Sequence, residues 1–423
     1  MHSIRLGPPV PREPRRGRRY RGVAVSAVGT LALVAGGVAF AGGAQAASAM
    51  YVAPYVDMSN SQESVLNTVI SSDGLRAYTA AFAIGEGCSD IWGDTLPIGN
   101  DPTIGGEISQ AKSEGAQVIV SSGGADGEPL SFTCTTQSTI DAGYQAIIND
   151  YGTDYLDFDV EGAAIADTTG IDQTIQAMKD LKAANPGLVW SFTVAVDPTG
   201  LTNYGVELVQ DAQNMGVTIP ILNVMAMDYY EGDIEMGQAA IQAAEATLGQ
   251  MKAINSSYTY ANVGITPMIG TNDDGSTFTL ADATTVANWA GSNGIGRLAF
   301  WSVDRDQSCG AGDTAIHPDA SSTCSGVSQS TGQFTKNFLG GSGGGGPTGP
   351  TGGTSPSKSS SPSSSPTGGS GGSCYAAWSA STSYVPGNEV SYNGTNYTSI
   401  YWSTGVEPGS AIAWDIWQSD GAC

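Results

Sequence analysis

The 423-residue chain is poor in histidine and in positive charge. Its two histidines, His2 and His317, are too few for a polyhistidine metal site and leave little material for a Ser-His-Asp triad. With 16 basic and 40 acidic residues, the formal charge of −24 argues against nucleic acid as a partner. No Cys-x-x-Cys pair is present either, so we expect neither a bound metal nor a cofactor.

The N-terminus carries most of the arginine. Residues 1–21 are basic, Val23–Ala41 is an apolar run, and Ala-x-Ala sites follow at Ala44 and Ala47. This order predicts a secretory signal over 1–49 and an extracellular protein with no membrane contact after cleavage. A single membrane anchor is the alternative, because the run is nearly long enough to span a bilayer, but its many glycines and alanines favour cleavage. We expect the secreted protein to be a monomer.

The rest of the chain divides into two folded parts and a tether. Residues 340–373 are almost entirely Gly, Ser, Pro and Thr, a composition that buries too little apolar area to fold and predicts a linker. Residues 374–423 form a piece of about 50 residues, a size that usually needs a covalent staple. The six cysteines of an exported chain favour disulfides, and Cys374–Cys423 would close this module.

Between residues 50 and 339, apolar runs alternate with helical patterns. The runs are Tyr51–Val56, Ala77–Ile84, Gln117–Val120, Tyr155–Val160, Val189–Val196, Ile219–Ala226, Ala261–Pro267 and Arg297–Val303. Eight βα units predict an α/β fold of the (β/α)8 barrel type, with the active site at the carboxyl ends of the strands. A doubly wound open sheet is the alternative, but no Gly-rich phosphate loop follows the first strand.

The barrel order also predicts two further disulfides. Cys88 follows the second strand and Cys134 the third, so their loops are neighbours on one face of the barrel. Cys309 and Cys324 both follow the eighth strand. We therefore expect the pairs Cys88–Cys134 and Cys309–Cys324, which would clamp loops around the active face.

Three acids lie on the fourth predicted strand, at Asp157, Asp159 and Glu161. Residues two apart share a face of a strand, so these side chains project together into the barrel, where crowded carboxylates are costly. A solvated charge run fits poorly, since the residues between them are apolar. A calcium site is a better alternative, but calcium loops are flexible and glycine-bearing, whereas this segment is a stiff strand. We interpret the cluster as catalytic.

Four motifs occur in order on the predicted strands. They are Ser-x-Gly-Gly from Ser121 to Gly124, Asp-x-x-Asp-x-Asp-x-Glu from Asp154 to Glu161, Met-x-x-Asp from Met225 to Asp228, and a tryptophan, Trp301, on the eighth strand. Together they resemble the motifs of glycoside hydrolase family 18, the chitinases. That family often has tyrosine where this chain has Met227, with Tyr229 following the aspartate. Adjacent strand residues face opposite ways, which puts the tyrosine contact in question.

The resemblance implies substrate-assisted catalysis that retains the anomeric configuration. Glu161 would protonate the glycosidic oxygen, while the 2-acetamido carbonyl of the substrate attacks the anomeric carbon. Asp159 would orient the acetamido group, and Asp157 would share a proton with Asp159. An anionic Asp159 would favour the protonated form of Glu161.

The resemblance also assigns substrate contacts. Asp228, with Tyr229, would bind the acetamido group, Met225 would line the site, and Trp301 would form the apolar floor beneath the sugar. Simple packing remains the alternative for Met225 and Trp301. About 27 residues separate Gly270 from Arg297, which is too few for the α+β subdomain that walls a tunnel in some family members. We therefore expect an open groove and endo-type cutting.

The C-terminal module, 374–423, resembles the chitin-binding modules of families 5 and 12. Tyr401 and Trp402 occupy the position of the exposed aromatic pair in those modules, and exposed rings stack on pyranose faces. Trp378, Tyr392 and Trp414 are expected in its core.

The sequence as a whole predicts a secreted endochitinase that acts on chitin and N-acetylglucosamine oligomers. The alternatives are a non-catalytic chitin-binding lectin and an endo-β-N-acetylglucosaminidase that cleaves glycoprotein glycans. The presence of Glu161 favours an enzyme, and the appended module favours chitin as its substrate.

Overall fold

The structure is a computed structural model. It describes residues 51–59, 63–93, 96–232, 234–310 and 320–341, followed by 374–379, 383–384, 389–399, 403–404, 407–408 and 417–423. The predicted signal, nearly all of the predicted linker, and the residues Tyr401, Trp402 and Trp414 lie outside this description.

Strands and helices alternate from Tyr55 to Gly341. In chain order they are β1 (Tyr55–Asp57), α1 (Glu63–Ser71), β2 (Ala77–Glu86), β3 (Ser89–Trp92), β4 (Leu96–Pro97), α2 (Pro102–Ser113), β5 (Gln117–Gly123), α3 (Leu130–Thr133), α4 (Gln137–Tyr151), β6 (Tyr155–Val160), α5 (Thr168–Ala184), β7 (Val189–Asp197), β8 (Gly200–Leu201), α6 (Asn203–Asn214), β9 (Ile221–Met225), α7 (Met236–Ile254), β10 (Val263–Thr266), β11 (Gly270–Thr271), β12 (Thr277–Phe278), α8 (Leu280–Asn293), β13 (Arg297–Leu298) and α9 (Gln333–Gly341). The last helix ends two residues inside the predicted linker.

Parallel pairing closes the sheet into a barrel. The strands pair in the order β1, β2, β5, β6, β7, β9, β10 and β13. The ring closes between the last and first strands, where Ala53 donates its backbone N–H to the Leu298 carbonyl at 2.9 Å and Tyr55 donates to the Phe300 carbonyl at 3.0 Å. Each of these strands overlaps a run that the sequence predicted, and β1, β2, β5 and β7 extend one to three residues past the predicted ends. The closed ring excludes the doubly wound open sheet.

Alternating side chains explain why the strands are buried on both faces. On β6, Leu156, Phe158 and Val160 belong to the apolar core between the sheet and the helices. The alternate positions point inward, where buried side chains fill the barrel in layers. The lowest layer is apolar and contains Ala53, Ala77, Ile119, Tyr155 and Ile221. The layer above it is polar and leads to the site described below.

Capping residues fix the starts and ends of several helices. Asp101 accepts hydrogen bonds from the first backbone N–H groups of α2, and Thr279 forms a capping box with Asp282 at the start of α8. Gly152 and Gly294 end α4 and α8 in the left-handed conformation. Among the described residues, no helix combines the length and the hydropathy needed to cross a membrane.

Three disulfides are present, and all three predicted pairings are confirmed. Cys88–Cys134 joins the turn after β2 to the end of α3, and Cys309–Cys324 joins two points of the segment after β13. Cys374–Cys423 closes the C-terminal segment. Between β10 and β13 the chain forms only the β11–β12 hairpin and α8, so the predicted absence of an inserted subdomain holds.

The described C-terminal residues form two small antiparallel sheets. One pairs β14 (Ser383–Tyr384) with β17 (Ser403–Thr404), and the other joins β15 (Glu389–Tyr392), β16 (Thr395–Ser399) and β18 (Trp417–Ala422). Tyr384, Val390 and Trp417 form their core, with Trp378 packed against it and edge-on to Tyr392 at 5.5 Å. A segment of about 50 residues usually needs such a covalent staple, which the Cys374–Cys423 disulfide provides.

Gly123, at the end of β5, is required by the close approach of β6. Its φ is +115°, and a Cβ there would stand 2.0 Å from the Asp159 carbonyl oxygen. We predict that Gly123→Ala lowers the free energy of unfolding by at least about 2 kcal/mol. Gly105→Ala is the matched control, because Gly105 lies in α2 with open space around it. This variant should have a free energy of unfolding about 0.5 to 1 kcal/mol higher than the wild type. Thermal unfolding followed by circular dichroism measures both, and equal midpoints would contradict the prediction.

Candidate active site

The three acids on β6 and directly after it lie at different depths at the carboxyl end of the barrel. Asp157 is fully buried in the polar layer. Asp159 is 5% exposed and lines a cavity of about 530 Å³ together with the half-buried Glu161, which follows the strand directly. The two-residue spacing therefore stacks the acids along one inner face, as predicted. Of these three acids, only Asp159 and Glu161 line the cavity.

Asp157 is held by five donors from four other strands. Arg297 Nη1 lies 2.8 Å from Asp157 Oδ1, and Thr193 Oγ1 donates to the same oxygen at 2.9 Å, as does Ser191. Tyr55 Oη and Ser121 Oγ donate to Oδ2 at 2.8 and 2.7 Å. A carboxylate that accepts from a guanidinium and four hydroxyls is fully satisfied in its charged form. Neither oxygen is free for a cation, which argues against the calcium alternative.

Asp159 differs from its neighbour in both hydrogen bonding and charge. Its Oδ1 has no hydrogen-bond partner in the described structure. Burial raises the pKa of Asp159 well above its usual range, and the nearby carboxylates of Glu161 and Asp157 raise it further, while Arg297 opposes them. Burial among like charges therefore makes Asp159 harder to ionise than an exposed aspartate.

Two expectations about the aspartates stay predictions. Asp157 is expected to share a proton with Asp159, and the structure adds that Arg297 and hydroxyl groups donate to both Asp157 oxygens. Asp159 is expected to be anionic, and its burial among like charges raises its pKa, which acts against that form. The sequence could not reveal these surroundings, since they depend on side chains from other strands.

An aromatic platform forms one wall of the cavity. The rings of Trp301 and Phe82 stack at 5.7 Å with an interplanar angle of 15°, and both residues line the cavity. Trp301 thus lies where the motif predicted it. Gly124 makes room for this pair, since a Cβ there would stand 2.7 Å from the Phe82 ring. The second glycine of the Ser-x-Gly-Gly motif is therefore explained by packing against Phe82.

The predicted substrate-binding residues of strand β9 and its loop line the same cavity. Met225, Asp228 and Tyr229 are all part of the lining, as is Met227. The alternation argument that put the Tyr229 contact in question does not apply here, because β9 ends at Met225 and Asp228 adopts a φ of +48°. Adjacent residues of this loop can then reach the same space. Tyr229 Oη is buried and has no hydrogen-bond partner in the described structure.

Asp228 supports the loop that follows β11. Its Oδ1 accepts from the backbone N–H groups of Asp273 at 2.7 Å and Asp274 at 3.3 Å. Burial raises the pKa of Asp228 to about 7, and the carboxylates of Asp273 and Asp274 add to the effect, while the two backbone hydrogen bonds oppose it. Asp228 is therefore both a lining residue and a structural acceptor.

Sequence reasoning missed several residues of the site, notably Arg297, Tyr55, Phe82 and Thr193. Arg297 carried a usable signal, because a charged residue inside a predicted buried strand requires a partner. Tyr55, Phe82 and Thr193 are ordinary strand residues, and nothing in the sequence separates them from the core. Among the described residues, no group of three or more His, Cys, Asp or Glu side chains could hold a metal ion.

No family model matches the chain. Its fold is similar to the catalytic domain of a hyperthermophilic chitinase from Pyrococcus furiosus, at 30% identity and a TM-score of 0.60, over 69% of this chain and 94% of that domain. The chain belongs to the glycoside hydrolase family 18 chitinases. Catalytic-site mutants of active domain 2 of a thermostable chitinase from Pyrococcus furiosus have been solved in complex with chito-oligosaccharides, and this chain is similar to them at 29% identity and a TM-score of 0.61, over 69% of this chain and 94% of that domain.

Two curated proteins are also similar in sequence to this chain. A probable bifunctional chitinase/lysozyme of Escherichia coli (strain K12) is 29% identical over 63% of the chain, and endochitinase 11 of Metarhizium anisopliae is 29% identical over 60%. The chain spans 32% and 52% of the lengths of these two relatives.

The raised pKa of Asp228 makes stability depend on pH. Folding favours the neutral form of Asp228. Its contribution to the free energy of unfolding is therefore fully present below about pH 4 and is lost as the pH rises through about 7, by up to about 4 kcal/mol. Asp228→Asn keeps the acceptor oxygen and cannot ionise. We predict that it is more stable than the wild type at alkaline pH and similar at acidic pH in urea titrations. The exposed Asp180→Asn should show no such divergence, and parallel curves for Asp228→Asn and the wild type would contradict the prediction.

Proposed function

We propose that this chain is a secreted, endo-acting chitinase that hydrolyses the linkages between N-acetylglucosamine units of chitin and its oligomers with retention of configuration. The observation that carries the proposal is the pair Glu161 and Asp159 at one cavity, above an Asp157 whose oxygens are fully engaged. The Trp301 and Phe82 rings supply a flat apolar surface of the kind that packs against a sugar ring.

The aspartates of β6 are poor nucleophiles, which favours attack by the substrate. Asp157 is fully buried and accepts from five donors. Burial and the nearby carboxylates raise the pKa of Asp159, which favours its weakly nucleophilic protonated form. A retaining reaction still needs an attacking group at the anomeric carbon. The 2-acetamido carbonyl of the substrate would supply it.

The proposed reaction then has two steps. Glu161 gives its proton to the glycosidic oxygen as the bond to the anomeric carbon breaks, and the acetamido oxygen bonds to that carbon to form an oxazolinium ion. Water next attacks the anomeric carbon and gives a proton to the Glu161 carboxylate, which restores the acetamido group and the acid. Asp159, next to Glu161, would hydrogen-bond the acetamido group, with Asp228 and Tyr229 as further contacts from the cavity wall.

Endo-type cutting and secretion are further parts of the proposal. The short β10–β13 connection adds only a hairpin and a helix, which favours an open groove over a tunnel. Three disulfides with no free cysteine among the described residues suit an oxidising compartment, in agreement with the predicted signal.

We also propose that residues 374–423 bind chitin. Among the described residues of this segment, Tyr384 and Trp417 lie in the core, with Trp378 and Tyr397 packed against it. Tyr401 and Trp402 are the proposed contacts, and the Gly/Ser/Pro linker would raise the effective substrate concentration at the barrel.

The first test separates an enzyme from a lectin. We predict that Glu161→Gln lowers kcat on N-acetylglucosamine oligomers by at least about 100-fold, because the glycosidic oxygen loses its proton donor. Glu128→Gln is the matched control, since Glu128 is exposed and lies outside the cavity lining. Unchanged turnover by Glu161→Gln would reject the acid, and a wild type that binds without cleaving would favour the lectin.

The second test concerns the attacking group and the substrate. Fully deacetylated polymer should resist the enzyme, because it lacks the acetamido oxygen, whereas chitin oligomers should be cut. Equal rates on both would reject substrate assistance. Preferential release of glycans from glycoproteins would favour the endo-β-N-acetylglucosaminidase alternative. Product analysis by mass spectrometry distinguishes all three outcomes.

The third test addresses the C-terminal module. We predict that Trp402→Ala weakens binding of the full chain to insoluble chitin by about fivefold or more, through loss of a stacking surface, with short-oligomer hydrolysis intact. Glu161→Gln should bind insoluble chitin like the wild type. Pull-down isotherms give both values, and unaltered affinity in Trp402→Ala would remove that residue from the binding surface.

A further inference from the structure

Two loops that lie 44 residues apart in the chain are joined beside the cavity. The loop after β9 donates the backbone N–H of Asp228 to Asn272 Oδ1 at 3.3 Å and that of Tyr230 to Asp274 Oδ2 at 3.0 Å. In return, Asp228 Oδ1 accepts from the backbone N–H groups of Asp273 at 2.7 Å and Asp274 at 3.3 Å. We call these four hydrogen bonds the clasp. They connect the loop to the turn of the β11–β12 hairpin.

The backbone of the loop after β9 needs such outside support. Asp228 and Tyr230 have φ values of +48° and +53°, a region that residues with a side chain rarely adopt and keep only when their surroundings fix it. These are the two residues whose N–H groups the clasp holds. Tyr229 lies between them, and its ring is buried in the core while its hydroxyl has no hydrogen-bond partner in the described structure. The clasp therefore fixes the backbone on both sides of a cavity-lining tyrosine.

The hairpin side of the clasp is itself anchored in the barrel. Asn272 is fully buried, and its Nδ2 donates to two carbonyl oxygens of the segment 268–271, both at 3.0 Å. The buried Arg305 donates Nη2 to the two alternate carbonyls of the same segment, at 3.0 and 2.5 Å. Both amide hydrogens and the oxygen of Asn272 thus have backbone partners. One side chain links the fixed segment before the hairpin to the Asp228 loop.

We propose that Asn272 and Asp274 are positioning residues, which hold the Asp228–Tyr230 loop so that the side chains of Asp228 and Tyr229 meet the substrate. The proposal rests on the proposed chitinase function, in which these two side chains contact the acetamido group. Neither Asn272 nor Asp274 is among the described residues that line the cavity. Both therefore act through the loop that they hold.

Hydrogen exchange tests the clasp without any assay of activity. The backbone N–H groups of Asp228 and Tyr230 donate to side chains of the hairpin, so their exchange reports on the clasp directly. In Asn272→Ala, the amides of residues 228–230 should exchange at least about tenfold faster than in the wild type, while those of β6 keep their rates. Mass spectrometry of peptic fragments measures both. Unchanged exchange in the loop would overturn the proposal.

Asn262→Ala is the matched control. Asn262 Oδ1 also accepts from a backbone N–H group, that of Thr259 at 3.1 Å, and its Nδ2 donates to the Pro220 carbonyl at 3.0 Å. It precedes β10, at the end of the barrel opposite the cavity. This variant should leave loop exchange and kcat/KM within about twofold of the wild type, since surroundings far from the loop change.

A double-mutant cycle tests the positioning role. Asn272→Ala should lower kcat/KM on N-acetylglucosamine oligomers by at least about tenfold, mainly through kcat, because the acetamido group must be oriented for attack. In a Tyr229→Phe background the same change should cost at least about threefold less, because the hydroxyl that it positions is gone. Equal losses in both backgrounds, or a loss confined to KM, would overturn the proposal.

A second variant covers the case in which Asn272→Ala does not fold. Asp274→Ala removes the acceptor of the Tyr230 N–H from a half-buried side chain, and it should show the same faster exchange and the same dependence on Tyr229. Normal exchange or additive losses there would overturn the proposal. A wild type that cleaves no chitin oligomer would reject the proposed function, and hydrogen exchange would still show whether the clasp holds the loop.

Discussion

The buried ion pair of Arg297 and Asp157 links the fold of this protein to its chemistry. With its hydroxyl partners it joins side chains of strands β1, β2, β5, β6, β7 and β13 in one layer of the barrel. A buried pair of this kind is stable only while both partners remain, since either charge alone would cost about 3 to 5 kcal/mol. The same pair contributes two of the charges that act on Asp159. One interaction therefore belongs both to the packing of the barrel interior and to the surroundings of the acidic site.

Above this layer, the cavity combines a polar centre with apolar walls. The described residues that line the cavity with Asp159 and Glu161 include no arginine or lysine. Trp301, Phe82, Met225 and Met227 provide its apolar surface. Such a cavity can receive a sugar ring on its flat face and a small amide group in its depth. The glycines at 123 and 124 make this possible, because they let β6 and the Phe82 ring approach β5.

Much of the fold could be predicted from local patterns. Alternating strands and helices predicted the barrel, and the order of the strands predicted the disulfides Cys88–Cys134 and Cys309–Cys324. The motif residues Asp159, Glu161, Met225, Asp228, Tyr229 and Trp301 were predicted to meet, and they line one cavity. The argument against Tyr229 failed because it assumed a strand that continues past Met225. The backbone turns there, and strand alternation no longer applies.

By itself, the amino-acid sequence determined the periodicity of the strands, the spacing of the acids on β6 and the candidate residues, because these follow from the geometry of a local chain segment. Only the tertiary structure decided which groups surround each acid. The partners of Asp157 and the raised pKa of Asp159 depend on burial and on side chains such as Arg297, which lies about 140 residues away in the chain and meets Asp157 only in the folded barrel. Electrostatic energy depends on distance in space, and separation along the chain does not reveal it.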